Sequence, residues 1–193
     1  MRSNTGWRTV DIVVTAAIAV AFGVVFWAWN FIWNAAAPFF LAVPPAQNLL
    51  YGVWLVPAVL AGLIVRKPGA AVFAELVAAS VSALLGSQWG LDTLASGALQ
   101  GFAAELIFAA TRYRVWALPI AVLASISTAI AAWVHDMPLY YLDLQLGDQL
   151  IIGGFMIISA VIIAGVGSWW LMGALAQSGV LAQFPSGRQQ TRI

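Results

Sequence analysis

The chain has 193 residues, of which 63% are hydrophobic and 8% are charged; its formal net charge is +1 and its mean hydropathy is +0.94. A soluble domain carries about 25% charged residues, so this composition excludes a soluble globular enzyme, a nucleic-acid binder and a disordered chain. The length corresponds to one domain. The sequence has no cysteine, which excludes disulfides, thiolate metal ligands and cysteine nucleophiles. We therefore expect a single integral membrane domain whose solvent is the lipid bilayer.

A membrane-spanning helix needs about 20 mostly apolar residues, and six stretches of the chain reach or approach that length. They predict an all-α membrane protein, a bundle of six transmembrane helices near residues 10–31, 49–65, 70–85, 94–110, 116–133 and 150–171. The third and fourth stretches are short and contain glutamates. A signal peptide is the alternative for the first stretch, but its apolar run exceeds the 7–15 residues typical of a signal core.

The basic residues are confined to the two termini and to two of the five connections. They are Arg2, Arg8, Arg66, Lys67, Arg112, Arg114, Arg188 and Arg192. The other connections, residues 32–48, 86–93 and 135–148, contain no lysine or arginine. Because lysine and arginine mark the cytoplasmic side, this distribution predicts six helices with both termini in the cytoplasm.

Motifs for catalysis are scarce. Lys67 is the only lysine and follows no glycine-rich loop, which excludes a phosphate-binding P-loop. His135 is the only histidine, too little for a metal cluster or a catalytic triad. We therefore expect no catalytic residue, no metal and no cofactor.

Two glutamates lie inside apolar stretches. Glu75 and Glu105 are each within about 14 Å of a cytoplasmic charge along their helices, so they are expected at similar depth. Intramembrane carboxylates usually face the bundle interior and are functional candidates. The alternative is a structural role, in which each glutamate is protonated or bonded to a neighbouring helix. Gln100 shares the fourth stretch with Glu105.

Several sequence segments between residues 50 and 113 together resemble the YkoE family. They are Tyr51-Gly52-Val53-Trp54, Arg66-Lys67-Pro68-Gly69-Ala70-Ala71 with Glu75, Leu84-Leu85-Gly86, Gln100-Gly101-Phe102-Ala103-Ala104-Glu105 and Thr111-Arg112-Tyr113. Members of this family are substrate-binding S components of energy-coupling-factor (ECF) vitamin transporters, associated with thiamine and its hydroxymethylpyrimidine moiety.

The resemblance implies a multi-pass protein of the bacterial cell membrane that binds its vitamin near the outer face. It also implies three partners, a transmembrane T component and two cytoplasmic ATPases, whose ATP hydrolysis drives delivery of the ligand inward. The small-residue pair Ala17 and Ala21 on the first helix is the type of surface through which an S component would contact the T component. The neighbouring pair Ala19 and Gly23 has the same spacing, and internal packing is the alternative for both pairs.

For a cationic, two-ring ligand of this kind we expect aromatic faces and a polar edge. The candidate substrate-binding residues are Glu75, Gln100 and Glu105 inside the bundle, with Asn34, Tyr51, Trp54, Trp89 and Trp133 toward the outside. For any single tryptophan an interfacial anchor is the alternative. The competing function is a stand-alone, proton-coupled secondary transporter of a small cation that uses Glu75 and Glu105 as proton carriers.

The six-helix topology predicts which positions face the cytoplasm. Single cysteines placed beside Lys67 or Tyr113 should resist a membrane-impermeant thiol reagent in intact cells, whereas cysteines beside Asp92 or Asp143 should react. The native chain supplies a clean background because it has no cysteine. Strong labelling from outside at Lys67 would contradict the topology.

Overall fold

The computed structural model describes residues 6–190 and is helical, with no strand in that range. The helices are α1 (Thr9–Ala36), α2 (Val56–Val65), α3 (Ala70–Leu84), α4 (Asp92–Ala110), α5 (Leu118–Tyr140), α6 (Leu146–Ser159), α7 (Ser168–Gln177) and α8 (Pro185–Gln190). Three further segments depart from α geometry: a 3-10 turn at Ala37–Phe40, a 3-10 segment at Pro44–Leu55 and a π segment at Ala160–Gly167.

Within residues 6–190, five helical rods are long and apolar enough to cross a membrane. They are Thr9–Phe40, Pro44–Val65, Asp92–Ala110, Leu118–Tyr140 and Leu146–Gln177. The remaining apolar helix, α3, has 15 residues and a length of about 22 Å, less than the roughly 30 Å of a bilayer core. Six complete spans and the side on which the termini lie therefore stay predictions.

The helix α2 is the centre of the bundle, because all ten of its residues are buried. It continues directly from the 3-10 segment, and Pro57 in its first turn is tolerated because the first N–H groups of a helix have no partner within it. It ends where Arg66 adopts the left-handed conformation, with φ of 57°. Gly69, with φ of 86°, completes the tight turn into α3, at a backbone angle that favours glycine.

The basic segments of the described chain meet at one end of this bundle, which we call the basic end. Asp11 of α1 is fully buried and pairs with both Arg8, at 2.7 Å, and Lys67, at 2.6 Å. The indole of Trp7 donates to the Pro68 carbonyl oxygen. The C-terminal segment joins them, since the Ser186 hydroxyl donates to a carbonyl oxygen at the end of α2. Arg2 and Arg192 lie outside the described residues.

Glu105 fastens the remaining basic connection to the same end. Its Oε1 accepts hydrogen bonds from the Gly69 N–H and from the Tyr113 hydroxyl, each at 2.7 Å, and its Oε2 accepts from the Ala71 N–H at 3.0 Å. Burial, and then the hydrogen bond to Glu105, raises the pKa of the Tyr113 phenol, so this hydroxyl remains a donor. The carboxylate thus caps the N-terminus of α3, where a negative charge is favoured.

The two small-residue pairs of α1 face different ways. Ala19 and Gly23 are buried, and a Cβ added at Gly23 would lie 2.5 Å from Val81 Cβ of α3. Ala17 and Ala21 are exposed on the opposite face of the helix. Internal packing therefore accounts for the first pair, and the second pair remains available to a partner.

The close contact at Gly23 generates a stability prediction. A Gly23→Val variant should lower the free energy of unfolding by about 1–3 kcal/mol, since α1 and α3 would have to separate to admit the side chain. Thermal unfolding of the detergent-solubilised protein measures the effect. The matched control is Ala21→Val on the exposed face, which should melt close to the wild type. Equal melting temperatures for all three proteins would contradict the tight α1–α3 contact.

Candidate functional site: a cavity opposite the basic end

A cavity opens at the end of the bundle that lies away from the basic residues. It is lined by the last third of α1, the 3-10 segment, α3, the N-terminal half of α4 and the end of α5. Those helices carry their basic neighbours at their other ends, beside Arg8, Arg112 and Arg114. The cavity encloses about 640 Å³ of non-atom space, counting solvent at its mouth.

Aromatic rings form much of the cavity wall. Trp33, Tyr51 and Trp54 make one cluster, in which the Trp33 and Trp54 ring centroids are 5.2 Å apart and those of Tyr51 and Trp54 are 5.4 Å apart. Trp89 and Tyr140 make a second edge-to-face pair with centroids 5.1 Å apart. Tyr51 and Trp54 share a face because a 3-10 helix has three residues per turn, which aligns residues i and i+3. The wall thus offers ring faces to an apolar or cationic ligand.

Glu75 is the lining residue of α3 that lies nearest the basic end. It is fully buried, and its Oε2 accepts a hydrogen bond of 2.9 Å from the Ala58 N–H in the first turn of α2. Its Oε1 has no hydrogen-bond partner among the described residues. A buried polar atom without a partner is costly, so this oxygen is suited to accept a hydrogen bond from a ligand in the cavity.

Gln100 lines the same part of the cavity from α4 and is 4% exposed. Its side-chain nitrogen donates to the Ser96 hydroxyl oxygen at 2.7 Å. Gly97 and Gly101 allow α3 to approach α4 closely here, since an added Cβ would lie 2.6 Å from Ala79 Cβ and 2.9 Å from Val72 Cα, respectively. This close approach brings the Glu75 and Gln100 side chains to one cavity.

Two acidic residues line the outer part of the cavity and are joined by a histidine. His135 lies between them, with its Nε2 3.3 Å from Asp92 Oδ1 and its Nδ1 2.9 Å from Asp136 Oδ1. The Tyr140 hydroxyl donates to Asp92 Oδ2 at 2.5 Å, and the Tyr51 hydroxyl donates to Asp136 Oδ2 at 2.7 Å. We refer to Asp92, His135 and Asp136 as the acid–histidine cluster.

Five of the eight residues expected to bind substrate line this cavity. They are Tyr51, Trp54, Glu75, Trp89 and Gln100. Whether they contact a ligand stays a prediction.

The other three candidates lie elsewhere. Asn34 is exposed, one turn beyond the cavity-lining Asn30, and hydrogen-bonds to Gln88. Trp133 packs against α6 and donates to the Gln149 carbonyl oxygen at 2.8 Å. Glu105 lies at the basic end, where both of its carboxylate oxygens accept hydrogen bonds from the start of α3 and from Tyr113. The geometry therefore separates the two glutamates that the sequence placed at similar depth.

Several polar residues that line the cavity were not among the substrate-binding residues predicted from the sequence. Asp136 and Tyr140 were expected in a loop, but α5 continues through Tyr140 because Pro138 removes only one hydrogen bond close to the helix end. The four-residue spacing of Asp136 and Tyr140 was the available signal, since it places both on one helix face. Asn30 also lines the cavity; its Oδ1 accepts from the Trp89 indole at 3.2 Å and its Nδ2 donates to the Ser87 hydroxyl at 3.2 Å.

Comparison with known proteins agrees with the helical membrane fold. Residues 10–131 match the family described as ABC-type cobalt transport system, permease component. The putative HMP/thiamine permease protein YkoE of Bacillus subtilis (strain 168) is 33% identical over 184 residues, which are 95% of this chain and 92% of that protein. The crystal structure of an S-component of ECF transporter matches with a TM-score of 0.91 and 32% identity, covering 97% of this chain and 94% of that one.

These likenesses define the class as the S components of ECF transporters, and the protein is a multi-pass protein of the bacterial membrane. Within that class the chain belongs to the YkoE family. The resemblance inferred from the sequence segments is thereby confirmed.

Proposed function

We propose that this S component binds thiamine, or its hydroxymethylpyrimidine moiety, in the cavity from outside the cell. The observation that carries the proposal is the unpartnered Glu75 Oε1 in an aromatic-walled cavity at the end opposite the basic residues. An aminopyrimidine presents N–H donors and ring-nitrogen acceptors, which match a carboxylate oxygen and the Gln100 amide. A thiazolium cation is attracted to aromatic faces. The name of the Bacillus subtilis relative points to the same ligand.

The delivery step in this proposal depends on partner subunits. The chain has no phosphate-binding P-loop, because Lys67 is its only lysine and no glycine-rich loop precedes it. Energy would therefore come from two cytoplasmic ATPases coupled through a transmembrane T component. The exposed Ala17 and Ala21 on α1 supply a surface on which a partner helix could pack closely.

The ligand proposal predicts different effects at the two glutamates. A Glu75→Gln variant keeps a similar shape but removes the charge, because an NH2 group replaces one of the two carboxylate oxygens. The loss of a charge-assisted hydrogen bond of about 1.5–3 kcal/mol should weaken thiamine binding roughly ten- to a hundredfold. Isothermal titration of the purified protein measures the affinity, and a thermal melt checks that the fold is intact.

The matched control for that experiment is Glu105→Gln, which alters a carboxylate outside the cavity. Its thiamine affinity should stay within about twofold of the wild type. An unchanged affinity in Glu75→Gln would remove this carboxylate from the ligand contacts. A wild-type protein that binds neither thiamine nor hydroxymethylpyrimidine would overturn the proposed function itself.

The partner proposal predicts a separation of binding from transport. Replacing Ala17 or Ala21 with leucine should block close approach of a T component and abolish uptake by the assembled transporter, while the isolated protein still binds ligand. Uptake assays and co-purification with the T component provide the measurements. Normal uptake by both variants would exclude this face of α1 from the interface.

A further inference from the structure

The connection between the first two rods is apolar and turned away from the bundle. It comprises residues 37–43, at the end opposite the basic end, and we call it the apolar connection. The Phe39 side chain is 86% exposed and that of Leu41 is 78% exposed, and Val43 is exposed beside them. Because water is an unfavourable solvent for such side chains, this surface is suited to an apolar medium.

No charge interrupts this surface along the chain. Residues 12–65 contain no Asp, Glu, Lys, Arg or His, and this stretch includes nearly all of α1, the apolar connection and the whole second rod. The exposed side of α1 also carries large apolar side chains near its far end, at Val25, Phe31 and Ile32. Lipid acyl chains are the solvent of such a helix face, and the apolar connection continues the same surface.

The backbone of the apolar connection is also suited to a medium without water. Three prolines between residues 38 and 45 have no N–H. The Ala37 N–H donates to the Asn34 carbonyl oxygen. The Val43 N–H donates to the Phe40 carbonyl oxygen at 3.0 Å. Since an unsatisfied N–H is costly in lipid, these features lower the cost of placing this segment there.

The other long connection at this end of the bundle has a different character. Residues 141–148 run from the end of α5 into the first turn of α6 and also expose apolar side chains, among them Leu142 at 74%. They carry the carboxylates of Asp143 and Asp148, however, and both residues are exposed. An ionised carboxylate is strongly disfavoured in lipid. This end of the bundle therefore has one apolar side and one charged side.

The length of α1 determines how the apolar connection can reach lipid. Its 28 residues extend about 42 Å, which is close to the full bilayer thickness of roughly 40–45 Å with headgroups. In an upright helix the apolar connection would therefore lie at the boundary with water. Tilting the rod brings its far end back into the leaflet, as is usual for an apolar segment longer than the hydrocarbon core.

We propose that the apolar connection is inserted in the membrane, in the leaflet opposite the basic end, where it contacts lipid acyl chains. The first rod is tilted so that Phe39 and Leu41 lie below the headgroups, while Asp143 and Asp148 remain in water. The surface is thus a lipid anchor that fixes the orientation of the bundle in the bilayer. Its partner is lipid because the surface continues the exposed apolar side of α1.

Spin labelling of the full-length protein in phosphatidylcholine vesicles tests the proposal. Single variants Phe39→Cys and Leu41→Cys carry a nitroxide, and the cysteine-free chain gives no background label. Oxygen concentrates in lipid, whereas a water-soluble nickel chelate is excluded from it. The ratio of oxygen to chelate accessibility should exceed one at both positions. The matched control is Leu142→Cys, a leucine of similar exposure beside Asp143, where the ratio should fall below one.

A ratio below one at Phe39 and Leu41 would place the apolar connection in water and overturn the proposal. Spin–spin broadening that persists as the lipid-to-protein ratio is raised would show a second copy of the chain on this surface, and would overturn it as well. No ligand enters the measurement, so its outcome is independent of the proposed function.

A charge placed in the apolar connection provides a second test. Leu41→Asp, combined with the label at Phe39→Cys, should lower the oxygen-to-chelate ratio, because the carboxylate draws this segment toward water. The matched control, Leu41→Met with the same label, should keep the ratio of the parent. Both substitutions lie at an exposed position, so the fold should tolerate them. An unchanged ratio in Leu41→Asp would contradict the insertion of Leu41 in lipid.

Discussion

The hydrogen bond from the Ala58 N–H to Glu75 is the contact on which the centre of this bundle depends. The second rod changes from 3-10 to α geometry at Leu55 and Val56, within the buried core. Such a change leaves backbone N–H groups without their usual helical acceptors, and a membrane interior offers no water to replace them. Pro57 has no N–H, and Glu75 accepts the next one. The change of helix type and the buried carboxylate therefore belong to one arrangement, and the cavity is built beside it.

Both intramembrane glutamates accept hydrogen bonds from backbone N–H groups at the start of a helix, but only one of them has a carboxylate oxygen without a hydrogen-bond partner. Glu105 accepts three hydrogen bonds, with both oxygens engaged, and ties the turn before α3 to the turn after α4. Glu75 accepts one at the start of α2 and keeps one oxygen without a partner. Helix N-termini favour negative charge, so the same rule explains both positions. Only Glu75 therefore has a carboxylate oxygen that is still available to a ligand.

Composition and charge were sufficient to predict an all-helical membrane protein and the common end of the basic residues. The polar lining residues Glu75 and Gln100 also followed from the rule that intramembrane polar groups face inward, whereas the aromatic lining residues followed from the ligand that the family resemblance implies. The sequence left open whether Glu105 contacts the ligand or bonds to a neighbouring helix, because its hydrogen bonds depend on the left-handed backbone at Arg66 and Gly69, which brings the start of α3 to the end of α4. Hydropathy also gave no sign that α5 continues past Pro138 and carries Asp136 to the cavity. Equal spacing of small residues in α1 could not distinguish the packed pair Ala19 and Gly23 from the exposed pair Ala17 and Ala21.

The 3-10 segment Pro44–Leu55 has a mechanical consequence for the cavity. At about 2.0 Å per residue rather than 1.5 Å, its 12 residues reach about 6 Å farther than an α-helix of the same length. Its three-residue turn also stacks Tyr51 directly above Trp54, whereas α geometry would rotate one ring about 60° away from the other. Rewinding this one segment would shorten the rod and turn part of the aromatic wall aside. The shape of the cavity is therefore coupled to the pitch of a single stretch of backbone.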